Sequence, residues 1–227
     1  MTTLPFTLLV VAKAPVAGFA KTRLTPPLSP GEAADLAAAS LLDTLAAVRA
    51  SSAARAVVAW TGELDRAQRR REIDAALRDF DIVAQRGADF GIRLANAHAD
   101  AARAGFPVLQ IGMDTPQADS VLLTECGKRL LSEGDSVLGP AADGGWWALG
   151  LSDPRHARVL AEVPMSTDRT GQMTREALSR IGCHIALLPE LDDVDRYDDI
   201  AGVAAGCQGL FATAAARLIS AAAGHHR

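Results

Sequence analysis

Three cations stand close together near the start of the chain. Lys13, Lys21 and Arg23 fall within eleven positions, beside Gly18. A glycine lets backbone approach an anion, and an arginine can bind one bidentately, so this loop could cradle phosphates. The GxxxxGK[ST] and GxGxxG spacings are both absent. A solvated basic loop is the plain alternative.

Two acidic groups could complement it. Ile111-Gly112-Met113-Asp114-Thr115-Pro116 places a carboxylate directly after an apolar run. Such a group must be solvated, hydrogen-bonded or metal-bound, and Asp with a nearby phosphate is a common Mg²⁺ site. The alternative is an Asp that shapes the turn before Pro116. Further on, Asp192, Asp193, Asp195, Asp198 and Asp199 lie within eight residues, interrupted by Val194. A solvated acidic loop is the usual meaning of such a run. The apolar Val194 suggests that it folds back. Asp195 also reads as the N-cap of a following helix.

Other segments could shape a pocket. Asp143-Gly144-Gly145-Trp146-Trp147 pairs glycines with aromatic rings, the makings of a ligand wall, with one Trp expected in the core and one in the cleft. Gln85 to Arg93 (QRGADFGIR) follows a strand; Gln85 could read a base edge, Arg93 could reach phosphate, and Asp89 reads as a helix cap. Ser166-Thr167-Asp168-Arg169-Thr170 is a helix start that could touch a ligand. No Ser-His-Asp or Cys-His arrangement can be read from spacing.

These segments need positioning elements. Strands are expected at Thr7–Val11, Ala56–Trp60, Phe80–Ala84, Pro107–Ile111, Ser136–Leu138 and Ile185–Leu188. Helices are expected over Pro30–Arg49, Leu64–Arg78, Asp89–Arg103, Asp119–Leu131 and Asp168–Arg180, with two Ala-rich helical stretches at the end. Ser29-Pro30-Gly31-Glu32 has the form of a capping box. Alternating strands and helices mean a mainly parallel sheet covered on both faces, and one α/β domain over residues 1–227 is the simplest organisation. Ligands of such sheets bind beyond the carboxyl ends of the strands, near a topological switch point. Lys13 and Asp114 both sit at expected strand ends.

Composition narrows the classes. The 227 residues are 49% hydrophobic and 22% charged, which is globular. A net charge of −4 argues against nucleic-acid binding. The three cysteines, Cys126, Cys183 and Cys207, form no CxxC pair. The N-terminus carries no basic leader and no run reaches the roughly 20 apolar residues of a membrane span, so a soluble cytoplasmic protein is expected.

In order along the chain, KxPxxGxxKTRL, QxGxDxGxR, IGxDxP, GPAxDGGWWxLGL and DVDxxxDI resemble the bacterial family DUF2064, also known as a transferase of radical-SAM and selenium gene contexts and described as glycosyltransferase-like. The resemblance runs from about Leu8 to Ile200. The family is similar to the 2-phospholactate and molybdenum-cofactor guanylyltransferases. It implies the nucleotide-diphospho-sugar transferase (GT-A, Rossmann-like) fold, a three-layer α/β/α arrangement. It implies that Lys13, Gly18, Lys21 and Arg23 contact nucleotide phosphates, with Gln85 and Arg93 also on the nucleotide. It implies that Asp114 and Asp195 hold Mg²⁺ (or Mn²⁺), and that Asp143, Gly144, Gly145 and Trp146 face the acceptor. The chain departs from the family pattern at Arg196-Tyr197, where Thr-Pro is usual, and at Ile200 for Leu. It departs again at Gln117-Ala118 and at Trp146-Trp147, where a Tyr is commoner. No DxD triplet precedes Asp114, which favours nucleotidyl over glycosyl transfer.

The expected activity is therefore Mg-dependent transfer of a nucleotidyl group from an NTP to a phosphorylated acceptor, with Lys21, Arg23 and Asp114 as the catalytic groups. The alternatives are sugar transfer from an NDP-sugar to a small acceptor and an inactive nucleotide-binding module. The expected partners are a nucleotide and a small molecule, with neither nucleic acid nor membrane.

Overall fold

The computed structural model describes residues 2–133 and 136–225. Seven strands form one sheet: β1 (Leu4–Lys13), β2 (Ala53–Thr61), β3 (Asp81–Ala84), β4 (Val108–Ile111), β5 (Ser136–Pro140), β6 (Trp146–Leu151) and β7 (Ile185–Leu187). Their spatial order is β3-β2-β1-β4-β6-β5-β7. Every neighbouring pair is parallel except the two that involve β6, which runs antiparallel to β4 and β5.

The apolar run of β1 is explained by burial on both faces. Leu8, Val10 and Ala12 point into one core, where α1 (Pro30–Ala50), α2 (Arg70–Leu77) and α4 (Ser120–Glu133) pack. Leu9 and Val11 point into the other, under α3 (Phe90–Ala101), α5 (Thr170–Arg180) and the 3₁₀ segment Pro154–Glu162. Truncating Leu8 or Leu9 to Ala would cost about 2–5 kcal/mol. A third cluster joins α1 to α6 (Asp199–Ala205) and α7 (Leu210–His225) and takes in Val194. The capping box at α1 is formed: Ser29 N–H donates to Glu32 Oε2 at 2.8 Å and Glu32 N–H donates to Ser29 Oγ at 3.3 Å.

The register sets the site. Val10 pairs with Ile111, Lys13 with Thr61, and Trp60 with Ala84. The carboxyl ends of β1 to β4 therefore emerge along one edge. Because β6 is antiparallel, its first residue, Trp146, arrives at that same edge. Among the described residues, no helix is long and apolar enough to cross a membrane.

Three expectations are corrected. The helix over Leu64–Arg78 is a 3₁₀ turn, Leu64–Arg66, followed by the shorter α2. The break is at Arg69, whose φ is 49° and whose guanidinium grips Asp35 of α1 with two bonds of 2.7 Å. That tertiary pair overrides local helix preference. The segment Asp143–Trp147, expected as a ligand wall, leads into a strand outside the expected set, β6. The acidic run does not use Asp195 as a helix cap: Asp198 holds the N-cap position of α6, and Asp199 Oδ2 accepts from Asp195 N–H.

Candidate functional site

The loop after β1 folds over the sheet edge. Lys13 ends the strand, and its Nζ donates to Phe19 O at 2.7 Å. Gly18 supplies a positive φ of 78° to the turn. Lys21, also left-handed at φ 48°, precedes a 3₁₀ turn that Leu24 anchors in the core. Lys21 is thereby aimed inward, and its Nζ meets Asp114 Oδ2 at 2.7 Å. Two residues on, the exposed Arg23 meets Asp195 Oδ2 at 2.8 Å. Two of the three anticipated phosphate cations, Lys21 and Arg23, thus stand on the anticipated metal carboxylates, while Lys13 rests on a backbone carbonyl.

The acidic segment is docked onto the Asp114 loop. Leu191 N–H donates to Pro140 O at 3.1 Å, and Val194 N–H donates to Asp114 O at 3.5 Å. The amide of Gln117 donates to Asp192 O. Val194 is buried, so the two-residue period of extended chain turns Asp193 and Asp195 the other way. Burial pushes the Asp114 carboxyl up. Lys21 and the backbone N–H groups of Met113 and Asp114 outweigh this and hold it below its ordinary value. Asp193 is pushed up to about 6, chiefly by burial; Lys21 opposes the shift and the Asp143, Asp114 and Asp195 carboxylates add to it.

Two cavities meet here. A basic cavity of about 270 Å³ is lined by Lys13, Lys21, Arg23, Asp114 and Asp195, with Phe19 at its side. A central cavity of about 450 Å³ shares Lys13, Met113 and Asp114 with it. One wall of the central cavity carries Thr61, Gln85, Phe90 and Arg93, and the other Asp143, Gly145, Trp146, Ser166 and Thr167. Gln110 of β4 lies between them. The segment after β3 is pinned to α3: Asp89 caps it through Ile92 N–H at 2.8 Å, Asn96 Nδ2 donates to Arg86 O at 2.7 Å, and Arg93 Nε donates to Gly87 O at 3.2 Å.

The opposite wall depends on Gly144. With φ at 85°, a Cβ there would lie 2.0 Å from Asp168 O. Only glycine allows this turn to press against the segment before α5, where Gly171 N–H donates to Gly144 O at 2.8 Å. Trp147 is buried and Trp146 half-buried, but both border the central cavity, so the expected split into one core ring and one cleft ring holds only in their degree of burial.

Most anticipated residues therefore converge, but Gly18 and Gly144 line neither cavity and act through the backbone. Gln110 and Asp193 were missed as site residues. Gln110 is the lone polar side chain in the PVLQI strand, and Asp193 shares a face with Asp195. Elsewhere, Cys183 Sγ lies 3.2 Å from His156 Nδ1, a pairing that a separation of 27 residues hides from spacing.

A family model described as "Uncharacterized protein conserved in bacteria (DUF2064)" matches residues 44–167, just over half of the chain. The chain belongs to the DUF2064 family. The matched region includes Gln85, Arg93, Asp114 and Asp143. The basic loop and the acidic segment of this DUF2064 protein lie outside it. Among solved structures, a candidate nucleotide-diphospho-sugar transferase from Desulfovibrio desulfuricans G20 is 26% identical, with a TM-score of 0.75, over 87% of this chain and 84% of that one. The manganese complex of Rv0371c from Mycobacterium tuberculosis H37Rv is 18% identical, with a TM-score of 0.51, over 88% and 97%. A CTP complex of CMP:2-keto-3-deoxy-manno-octonic acid synthetase is 10% identical, with a TM-score of 0.53, over 87% and 96%. The last two share the fold alone. Comparison with curated proteins gives no match.

Proposed function

We propose that this DUF2064 protein is a divalent-metal-dependent nucleotidyltransferase. The supporting observation is the double pairing of Lys21 with Asp114 and Arg23 with Asp195 at one cavity. Two cations and two carboxylates, each neutralised by the other, are what a metal-bound polyphosphate can take over without leaving a charge unpaired. Its phosphates would replace the carboxylates on Lys21 and Arg23, and the metal would replace the cations on Asp114 and Asp195.

Among the described residues, no group of three or more His, Cys, Asp or Glu side chains could hold a metal by itself. The donor set nevertheless fits Mg²⁺ or Mn²⁺, which bind through one or two carboxylates completed by phosphate oxygens and water. A bound divalent ion would neutralise charge that builds on the phosphates during transfer. The manganese complex of a similarly folded protein and the CTP complex of another are consistent with this use of the fold.

The reaction is displacement at the α-phosphorus. An anionic phosphate oxygen of the acceptor forms the new P–O bond with no proton to lose, the bond to the bridging oxygen breaks, and pyrophosphate leaves with the electron pair. Lys21 and Arg23 hold the departing phosphates, and Lys13 extends the basic strip along the end of β1. Positioning and charge neutralisation supply most of the rate.

Sugar transfer from an NDP-sugar is the second reading. It is favoured by the Trp146 ring in the central cavity. A thermal-shift panel of NTPs and NDP-sugars, with and without Mg²⁺, separates the two. Ligand at a hundred times its Kd adds about 2.7 kcal/mol of stability. Mg-dependent stabilisation by one NTP is expected. Preference for an NDP-sugar over its NDP would favour glycosyl transfer, and silence across the panel would contradict both.

A further inference from the structure

We infer that Arg93 anchors the acceptor by its phosphoryl group, at an anion subsite in the central cavity separate from the basic one. This rests on the nucleotidyl-transfer reading above. It moves Arg93 from the nucleotide, where the family resemblance puts it, to the acceptor.

The guanidinium is held in place but not neutralised. Arg93 is half-buried and lines the central cavity, not the basic one. Its Nε donates to Gly87 O at 3.2 Å, and its terminal nitrogens make no hydrogen bond or ion pair among the described residues. Asp89 stands four residues earlier, a spacing that suits a helical ion pair, yet its Oδ1 is spent on Ile92 N–H at 2.8 Å. The neighbouring arginine, Arg86, is matched by Asp100 at 2.6 Å, as Lys21 is by Asp114 and Arg23 by Asp195. Lys13 gives its Nζ to Phe19 O. A half-buried charge without a counter-ion is costly, and here the open end of the guanidinium fork is left for an anion that arrives with a ligand.

Helix stability does not account for this arginine. Arg93 is the fourth residue of α3, at the positive end of the helix dipole, where a cation is unfavourable and an anion is favoured. The backbone around it is packed to aim it. Gly87 has φ 141°, and a Cβ there would lie 2.6 Å from Ile92 Cγ2 and 3.0 Å from Arg93 N. Only glycine lets the Gly87 carbonyl come down onto Arg93 Nε. At Gly91 a Cβ would lie 2.1 Å from Leu160 O, so the start of α3 is wedged against the 3₁₀ segment.

A phosphate monoester suits such a fork. Two of its terminal oxygens can take Nη1 and Nη2, and the third stays free. That third oxygen forms the new bond to the α-phosphorus, the bond to the bridging oxygen breaks, and pyrophosphate leaves with the electron pair. The opposite wall carries Asp143 and Asp193, whose charge confines a phosphoryl group to the α3 side. The two cavities share Lys13, Met113 and Asp114, so acceptor phosphate and departing pyrophosphate occupy adjoining spaces with the proposed metal carboxylate common to both.

The test uses the full chain loaded with Mg²⁺ and pyrophosphate, which fill the basic cavity. Methyl phosphate is titrated in by calorimetry, and acetate is titrated as its competitor. Methyl phosphate is expected to bind wild type, to bind Arg93→Gln about tenfold or more weakly, and to fall between the two in Arg93→Lys, which keeps the charge but loses the fork. The melting temperature of unliganded Arg93→Gln is expected to hold or rise, because a cation leaves the positive end of α3. If that variant fails to fold, Arg93→Lys carries the comparison. Unchanged affinity in the variants, whatever their melting temperature, overturns the inference. So does absence of binding to wild type, or displacement of methyl phosphate by an equal or lower concentration of acetate. Failure of Mg²⁺ and pyrophosphate to bind is a separate result: it takes down the proposed function, and the same comparison on the unloaded chain then decides whether Arg93 is an anion site.

Discussion

The basic and central cavities share Lys13, Met113 and Asp114, yet their polar groups are in opposite states. In the basic cavity the charges are paired, at 2.7 Å for Lys21–Asp114 and 2.8 Å for Arg23–Asp195. Beside the central cavity Gln85 is fixed through its two amide N–H bonds, and behind the cavity the buried Gln110 Oε1 and the His98 ring nitrogens lack hydrogen-bond partners. Paired charges keep an empty site stable and can exchange partners when a charged ligand arrives. Unpaired neutral acceptors cost less to bury than unpaired charges, and they select by hydrogen-bond pattern. Under the proposed function the basic region would bind charge, and the central region, where neutral side chains predominate, would contribute shape.

Substitutions that unpair one region and spare the other sharpen this contrast. The largest effect is expected from Asp114→Asn. It removes the carboxylate common to both cavities, and turnover should fall by about a thousandfold while the melting temperature changes little. Steady-state rates at saturating Mg²⁺ check this.

Next is the acid limb of stability set by His98 behind the central cavity. The native ring titrates at about 4 instead of 6.5, so below pH 6.5 the unfolded chain binds a proton that the native protein does not. Stability should therefore decline as pH falls from 6.5 to 4, by roughly 3 kcal/mol from this group. Denaturant unfolding of wild type and His98→Leu across that window should show the decline flattened in the variant.

Lys21→Ala should weaken nucleotide binding by roughly 10- to 100-fold, the scale of a lost charge-assisted bond. Calorimetric titration measures it. The smallest effect is expected for Arg23→Ala. Its side chain is 67% exposed against 15% for Lys21, and solvent screens it, so a few-fold loss is expected in the same titration. Equal losses in the two variants would remove the distinction between an inner and an outer phosphate contact.

The fold was largely legible from the sequence. The apolar run of β1, the capping box at Ser29 and the strand–helix alternation required no tertiary information. Helix α2 starts later than its local pattern suggests because that start depends on Arg69 reaching Asp35, 34 residues away. Strand β6 was hidden because its paired Trp residues read equally as a wall, and they serve both roles. In the site, Lys13, Asp114 and Asp195 were marked by their positions at strand ends or in a known pattern. Asp193 was hidden among five carboxylates, and the docking of Val194 is what turns it toward the cavity. Gln110 was overlooked because a polar residue in a buried strand acquires meaning only when its partners, or their lack, are known.

The proposed metal–phosphate site is tested most directly by calorimetric titration of pyrophosphate into wild type and Asp114→Asn, each with and without Mg²⁺. Tight binding only for wild type with Mg²⁺ is expected. Binding that persists at full strength without the metal, or in the variant, would contradict a site built on Asp114, Lys21 and Arg23.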